Sequence, residues 1–376
     1  MKVAIIKSNY TPFGGGEKYT TRLIRAFAAR GDNVDVLTAV KVQWDAFDEN
    51  VRWVQLRQVP YNNLLRLISF NASVKSHLKT YSYDCVLGMD RTEAQTHFRA
   101  GGGCHAAWLR RRCAETSMLR CLSFRVNPFH LHTLALEKRA FLSPGLRKII
   151  CNSRLVRREI EEFYPGVSRK LMVIHNGVEW HEFSGPFSQA SARRESLRGQ
   201  LDLRTGRFFF LFVGSGYARK GLGKAISALP LLPDDAELIV LGKDKEEKQY
   251  RDMAKKRGLS KRVHFFGPRK EIIPFYQAAD AFVLPTLYDP FSNASLEAMA
   301  MGLYTVTTDA NGCAEVISEG TGAVIPAPCT TGAVAAAMMM AMKPHLSVEK
   351  IRDSVRNLDF ENQLKKLVDV CVGDAG

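Results

Sequence analysis

The chain has 376 residues, 46% of them hydrophobic and 24% charged, which is enough for two domains with separate cores and excludes a disordered chain. Lys and Arg outnumber Asp and Glu by 53 to 38, a net charge of +15 that calls for an anionic partner: nucleic acid, an anionic membrane surface or a phosphorylated small molecule. No apolar run approaches the roughly 18 residues of a membrane span, and the apolar core of residues 1–7 is too short for an export signal.

Residues 2–7 read as a buried strand, Gly14-Gly15-Gly16 as punctuation, and residues 17–30 as a helix with Leu23, Ile24 and Phe27 on one face. Gly31 closes that helix and residues 34–38 form the next strand. Apolar runs at 84–87, 148–153 and 171–175 continue the strands. The pattern then restarts, with strands at 208–213, 237–241, 263–266, 281–284 and 304–308 and helices at 221–229 and 246–257. Residues 183–207, rich in Ser, Arg and Gly, are expected to connect the halves, and residues 347–370 to be helical.

Short strands alternating with helices predict parallel sheets covered on both faces. The expected fold class is α/β, two Rossmann-like parallel-sheet domains facing across a cleft, with domains at 1–183 and 184–350 and a terminal segment at 351–376. The eight cysteines contain no Cys-x-x-Cys pair, so neither a zinc site nor a disulfide framework is expected, and they read as buried thiols of a reducing cytosol.

Residues 288–302, Tyr-Asp-Pro-Phe-Ser-Asn-Ala-Ser-Leu-Glu-Ala-Met-Ala-Met-Gly, place Asp289 in a loop after an apolar strand, then capping-type Ser292 and Asn293, then Glu297 on a helix. A helix opening with free N–H groups between two carboxylates suits a ligand with phosphates in the middle and hydroxyl-rich groups at either end. In the loop from Gly214-Ser215-Gly216 to Arg219-Lys220-Gly221, glycines allow backbone to approach phosphate oxygens and two cations can neutralise a diphosphate. It fits neither the Walker A pattern nor G-x-G-x-x-G, and a solvated basic loop at a helix start reads equally well. Pro12-Phe13-Gly14-Gly15-Gly16-Glu17 opens a helix N-terminus after the first strand; a tight turn with a favourably placed Glu17 is the simpler reading.

Arg99-Ala100-Gly101-Gly102-Gly103-Cys104-His105 ends another glycine run on a histidine, a residue type more often structural than catalytic. The stretch that follows carries Trp108, Arg110, Arg111, Arg112, Arg120 and Arg125 with interleaved apolar residues, which suits an anionic membrane surface, although the arginines spread around a helical wheel and also fit a solvated helix. The chain has no Asp-x-Asp triplet, so no metal ligand set for a diphosphate is expected.

In this order the motifs resemble the retaining GT-B glycosyltransferases of family 4, nearly end to end. Val173-Ile174-His175-Asn176-Gly177-Val178-Glu179 resembles the family's segment closing the first domain, Arg219-Lys220-Gly221 its phosphate loop, and Asp289 with Glu297 its E-x7-E signature. Gly312-Cys313-Ala314-Glu315 and Glu319-Gly320-Thr321-Gly322 resemble the ending of its second domain. The Phe13-Gly14-Gly15 loop, Gly214-Ser215 before Arg219-Lys220-Gly221, and the arginine-rich segment after His105 are most similar to those of the lipopolysaccharide core glucosyltransferases.

The resemblance implies a nucleotide-sugar donor, UDP-glucose or a relative, with no cofactor and no metal. It further implies a lipid-linked core oligosaccharide as acceptor, a cytoplasmic enzyme on the inner face of the inner membrane, and a C-terminal helix returning to the first domain. By the same resemblance Lys220 and Arg219 stabilise the leaving diphosphate, Glu297 reads ribose, Asp289 reads the donor sugar, and His105 touches the transferred sugar. Gly15, Gly16, Gly214, Ser215, Phe291, Ser292 and Asn293 complete the donor set. Two positions depart from the family: Asp289 is one methylene shorter than the usual Glu, and Ser215 stands where many members have Arg. A GDP-mannose enzyme acting on a capsular or other glycan is the nearest alternative, and a basic nucleic-acid-binding protein the alternative of another class, disfavoured because no basic-aromatic RNA motif or zinc module is present.

Overall fold

The central strands of both sheets are almost continuous apolar runs, as expected where helices cover both faces. In the computed structural model, which describes residues 1–9, 15–41, 49–343 and 347–373, the chain divides into two units, Met1–His175 with Asn362–Gly376, and Asn176–Glu361.

In the first unit, in chain order, come β1 (Lys2–Ile6), α1 (Gly15–Ala29), β2 (Asn33–Thr38), β3 (Val51–Gln55), α2 (Asn63–Thr80), β4 (Cys85–Gly88) and β5 (His97–Ala100). There follow α3 (His105–Ala114), α4 (Met118–Val126), α5 (Pro128–Leu142), β6 (Lys148–Cys151), α6 (Arg154–Phe163) and β7 (Leu171–Val173). All seven strands are parallel, in the order β3-β2-β1-β4-β5-β6-β7.

The second unit runs α7 (Trp180–Gln200), β8 (Phe208–Val213), α8 (Tyr217–Lys220), α9 (Leu222–Ala228), β9 (Ala236–Leu241), α10 (Glu247–Lys256), β10 (Val263–Gly267) and α11 (Ile273–Ala278). It continues with β11 (Ala281–Leu284), α12 (Asn293–Ala300), β12 (Tyr304–Thr308), β13 (Gly322–Ile325), α13 (Thr331–Ala341), α14 (Val348–Asp353) and α15 (Phe360–Gly373), whose residues from Asn362 on belong to the first unit. Its six parallel strands are ordered β10-β9-β8-β11-β12-β13. Phe209, Phe210, Leu211 and Phe212 of β8 are fully buried, each contributing about 1.5–3 kcal/mol of transfer free energy.

In each sheet the strand order reverses once, between β1 and β4 and between β8 and β11. Loops leaving the carboxyl ends of two strands at such a reversal diverge, and the gap between them is where open α/β sheets take ligands.

Several elements differ from the sequence reading. Residues 183–207 are not a linker: Trp180–Gln200 is a helix, even with Pro186 inside it. Tertiary contacts hold it, since buried Arg198 donates to the Ala278 carbonyl at 2.9 Å and pairs with Asp280 at 2.7 Å. The division of the chain accordingly falls at 175/176, ahead of that helix. Strands β3, β5 and β13 were too short or too polar to stand out. Cys113 and Cys121 are disulfide-bonded across the α3–α4 turn, against the expectation of thiols throughout, because the turn brings their Cα atoms to 4.9 Å; the six other cysteines are free and buried.

Candidate active site

In the second unit the two loops singled out from sequence leave adjacent strands. β8 feeds Gly214-Ser215-Gly216 and the single turn α8, which ends in Arg219 and Lys220, while β11 feeds residues 285–292 and α12. Asp244, from the loop after β9, accepts the Tyr217 amide at 2.6 Å and so caps the turn. The end of the turn is pinned to the second loop: the Arg219 carbonyl accepts from the Leu287 amide at 2.8 Å and the Thr286 hydroxyl at 2.9 Å. Gly221 follows with φ +80°, and a Cβ there would stand 2.0 Å from the Pro285 carbonyl oxygen, so only glycine permits this approach.

The cations meet the acid of the second loop. Lys220 Nζ is ion-paired and hydrogen-bonded to Asp289 Oδ2, and their side chains are only 11% and 9% exposed. Arg219 Nη1 lies 3.8 Å from the same carboxylate and donates to the Tyr288 carbonyl at 2.9 Å. The trio carries one net positive charge, with Lys220 and Asp289 largely shielded and Arg219 36% exposed, where a diphosphate oxygen would be attracted. Lys220 and Asp289 are therefore one unit in this structure, whereas the sequence reading gave them separate tasks.

Asp289 is fixed through its main chain, its amide donating to the Ala310 carbonyl at 2.9 Å and its carbonyl accepting from Gly312 at 2.8 Å. Ser292 is the N-cap of α12 and its hydroxyl accepts the Ser295 amide at 3.2 Å. Under it sits buried Asn311, which accepts from the Ser292 amide at 3.1 Å and the Cys313 amide at 3.0 Å and donates to Ser295 Oγ and Thr307 Oγ1. With those amides satisfied, the Asn293 and Ala294 N–H groups find no partner among the described residues, which leaves two donors at the positive end of α12 for an anion. Asn293 is held by Asn176, 2.7 Å away. One turn on, Glu297 accepts from the Tyr276 hydroxyl at 2.9 Å, and Tyr276 is buried with its phenol kept protonated by desolvation first and the Glu297 charge second. The Phe291 side chain is buried in the core, so only its main chain can face a ligand. Ser215 is exposed and its hydroxyl accepts from the Lys243 amide at 3.3 Å.

These geometries meet two independent findings. Residues 13–181 match the family model for Glycosyltransferase Family 4, and residues 193–357 match that for Glycosyl transferases group 1. The chain belongs to the family 4 glycosyltransferases. It is 28% identical over 337 residues to the lipopolysaccharide glucosyltransferase WaaG of Escherichia coli (strain K12), covering 87% of this chain and 86% of that one. Over 214 residues it is 29% identical to the lipopolysaccharide core biosynthesis mannosyltransferase LpsB of Rhizobium meliloti (strain 1021), covering 53% and 59% of the two chains. The crystal structure of WaaG, a glycosyltransferase involved in lipopolysaccharide biosynthesis, aligns with a TM-score of 0.83 at 25% identity over 99% of this chain and 100% of that one. The two-sheet architecture is thus the GT-B fold.

In the first unit of the glycosyltransferase, Gly15 and Gly16 open α1, while Pro12, Phe13 and Gly14 lie outside the described residues. His105 is the first residue of α3, and the cap of that helix comes from far along the chain. Buried Glu137 on α5 accepts the His105 amide with both oxygens, at 3.0 and 3.1 Å, and is held by Arg91 at 2.7 Å and the Tyr164 hydroxyl at 2.9 Å. The ring of His105 shares a hydrogen bond of 3.1 Å with His130 and meets Phe129 edge-on. Burial, then the Arg91 charge and His130, push its pKa down to about 3. The imidazole is neutral at any working pH and can exchange hydrogen bonds with a sugar hydroxyl without carrying charge.

Asn311, Tyr276, Asp244, Glu137 and His130 were not singled out from sequence. Glu137 did leave a signal, as the only acid between Glu115 and Glu159 in an arginine-rich stretch. Asn311 immediately precedes the Gly312-Cys313-Ala314-Glu315 motif. The other three acquire their roles only through tertiary contacts.

The depressed pKa of His105 has a signed consequence. Unfolded, the ring titrates near 6.5; folded, near 3. Between these values the unfolded chain binds the extra proton, so the stabilisation is present above about 6.5 and is lost as pH falls toward 3. The His105→Gln variant is expected to lose about 2 kcal/mol less than the wild type between pH 7 and about 4.5. Urea midpoints at the two pH values measure this, and parallel acid limbs in the two proteins would refute it.

Proposed function

We propose that this glycosyltransferase moves a hexose, glucose in first place, from a UDP-sugar to a lipid-linked oligosaccharide such as lipopolysaccharide core, with retention of configuration and without a metal ion. The observation that carries the reading is the meeting of Lys220, Arg219 and Asp289 beside the opening of α12, at the reversal of the second sheet. Lys220, Arg219 and the α12 amides take the diphosphate, so that cationic side chains do the work a metal would otherwise do. Glu297 accepts the ribose hydroxyls, Asp289 reads the hexose, and His105 contacts the sugar being transferred. The leaving phosphate takes the acceptor proton, and no side chain acts as covalent nucleophile.

The test is a donor screen on the purified protein: thermal stabilisation by UDP, GDP, ADP and CMP, then transfer from the matching sugars. Stabilisation by UDP alone is expected. Stabilisation by GDP alone would instead select a mannose donor, a second reading favoured by the likeness to LpsB and by the shorter carboxylate at Asp289.

The reading also places the enzyme on the cytoplasmic face of an anionic membrane. No helix among the described residues is long and apolar enough to cross a membrane. The α3–α4 hairpin holds the residues expected to touch lipid in two different settings. Arg110 pairs with Glu162 on α6, Arg111 with Glu159 at 3.0 Å, and Arg112 lies 4.5 Å over Phe124 and 5.8 Å over Trp108. Arg111 and Arg112 are thus partly buried against their neighbours, while Arg110 stays half exposed in a surface pair. On α4, by contrast, Met118, Leu119, Leu122 and Val126 are 89%, 82%, 56% and 68% exposed and are flanked by exposed Arg120 and Arg125. Met118, Leu122 and Val126 recur at helical spacing, the pattern of an interfacial helix. Sedimentation with anionic vesicles should weaken at least about tenfold on Met118→Glu with Leu119→Glu, from lost apolar burial. Arg120→Gln and Arg125→Gln should each weaken it about fivefold, and Arg110→Gln less than either. Unchanged sedimentation of the double Glu variant would remove the membrane from the reading.

A further inference from the structure

Cys85 is the first residue of β4, His97 the first residue of β5, and Cys371 lies in the last turns of α15. All three side chains are fully buried, and one potential ligand atom from each lies within 4.8 Å of the other two. Cys85 Sγ is 3.4 Å from His97 Nδ1, and the Cys371 thiol is within hydrogen-bonding reach of Cys85. Bond lengths of roughly 2.3 Å to sulfur and 2.0 Å to nitrogen put the sulfur–nitrogen edge of a tetrahedral site at about 3.5 Å. The Cys85–His97 edge already has that length, and closing a pair as wide as 4.8 Å to it needs a movement of about 1.3 Å.

Two thiols and an imidazole are a soft donor set that selects zinc or copper(I) over magnesium, calcium or manganese. Three residues distant in sequence converge here, from two neighbouring strands and the returning helix. Cys85 and His97 stand at the amino ends of β4 and β5, whereas open parallel sheets take ligands at the carboxyl ends of their strands.

We propose that Cys85, His97 and Cys371 bind one thiophilic d10 cation, zinc(II) or copper(I), which fastens the end of α15 to the sheet of the first unit. Coordination of zinc(II) releases both thiol protons to solvent, and no oxidant is involved. The Thr96 hydroxyl, 2.9 Å from the same His97 Nδ1, gives up that contact to the cation and keeps its bond from the Val86 amide at 2.9 Å. Entry is by fraying of the last turn of α15, since Cys371 is two residues from the end of that helix.

The experiment uses the full chain, reduced and stripped by chelator under anaerobic conditions. It is titrated separately with Zn2+ against a chromophoric competitor and with Cu+ against bicinchoninate. One equivalent of one of these ions is expected to bind, to raise the melting temperature, and to slow amide exchange in residues 362–373. Cys371→Ser and His97→Gln should each weaken binding about a hundredfold or more, whereas Cys329→Ser, a buried thiol elsewhere, should not. Should either substituted chain fail to fold, Cys85→Ser supplies the same comparison. Binding of neither ion, or binding that survives Cys371→Ser, overturns the proposal. So does a mass loss of two hydrogens with a Cys85–Cys371 cross-link and no metal uptake, which would assign the pair to a disulfide.

Discussion

Lys220→Ala is expected to lower kcat for sugar transfer by about 10²–10³ while leaving the donor KM within a few-fold of wild type. In the proposed reaction the ammonium faces charge that grows on the diphosphate as the glycosidic bond breaks, so its contribution would be realised mostly in the transition state. Arg219, 3.8 Å from the same carboxylate, keeps part of the positive charge in place and limits the loss. It also limits the damage to stability. Removing one partner of a buried ion pair ordinarily costs 3–5 kcal/mol, but Asp289 still has Arg219 and its fixed main chain, so about 1–2 kcal/mol is expected. The double variant Lys220→Met with Asp289→Asn should recover that stability and none of the turnover. Steady-state kinetics with the donor found by the screen, together with urea midpoints of the single and double variants, decide the matter. Near-normal kcat in Lys220→Ala would show that the lysine only neutralises Asp289 and would remove it from the catalytic set.

The pairing exposes what residue types at a given spacing can and cannot convey. Strands β1, β8 and β11 announced themselves because a parallel strand buried on both faces is an unbroken apolar run, as in Phe209-Phe210-Leu211-Phe212. β3 is only partly buried, β5 is four residues long and carries His97 and Arg99, and β13 mixes glycine with an exposed position, so none carries that signature. The helix at Trp180–Gln200 was missed for a different reason: its cohesion comes from Arg198 reaching Asp280 and Ala278, more than seventy residues away, and local composition does not record such partners. The same holds for the cap of His105, supplied by Glu137 from another helix where a capping serine or aspartate would have been visible next door.

At the site, positions were legible and relations were not. Arg219, Lys220, Asp289, Ser292 and Glu297 could each be picked out from motif order. That the first three form one ion-paired group follows from β8 and β11 being neighbours, which strand order alone decides. Asn311 belongs to the same lesson. Its amide satisfies the Ser292 and Cys313 N–H groups at once, which steers the remaining α12 donors toward an anion. Asn311→Ala would leave both amides without that partner, so this residue holds the opening of α12 in place.

Glu297→Ala should act on the other kinetic parameter. A carboxylate that accepts two ribose hydroxyls holds the nucleotide equally in the ground and transition states, so its loss raises KM more than it lowers kcat. Two hydrogen bonds to a charged acceptor, at about 1.5–3 kcal/mol each, predict at least a hundredfold rise in donor KM and loss of the thermal stabilisation by UDP. Tyr276 separates binding from scaffolding. Its single hydroxyl proton serves Glu297 at 2.9 Å and has the Ala294 carbonyl at 3.2 Å as an alternative acceptor, so Glu297→Ala does not strand the phenol and should cost about 1 kcal/mol of stability. Tyr276→Phe retains the carboxylate but frees its rotamer, and a KM effect near tenfold is expected. If Glu297→Ala instead lowers kcat with KM and UDP stabilisation unchanged, the carboxylate faces the reacting sugar and not the ribose. The assignment of Asp289 to the hexose would then have to be exchanged with it.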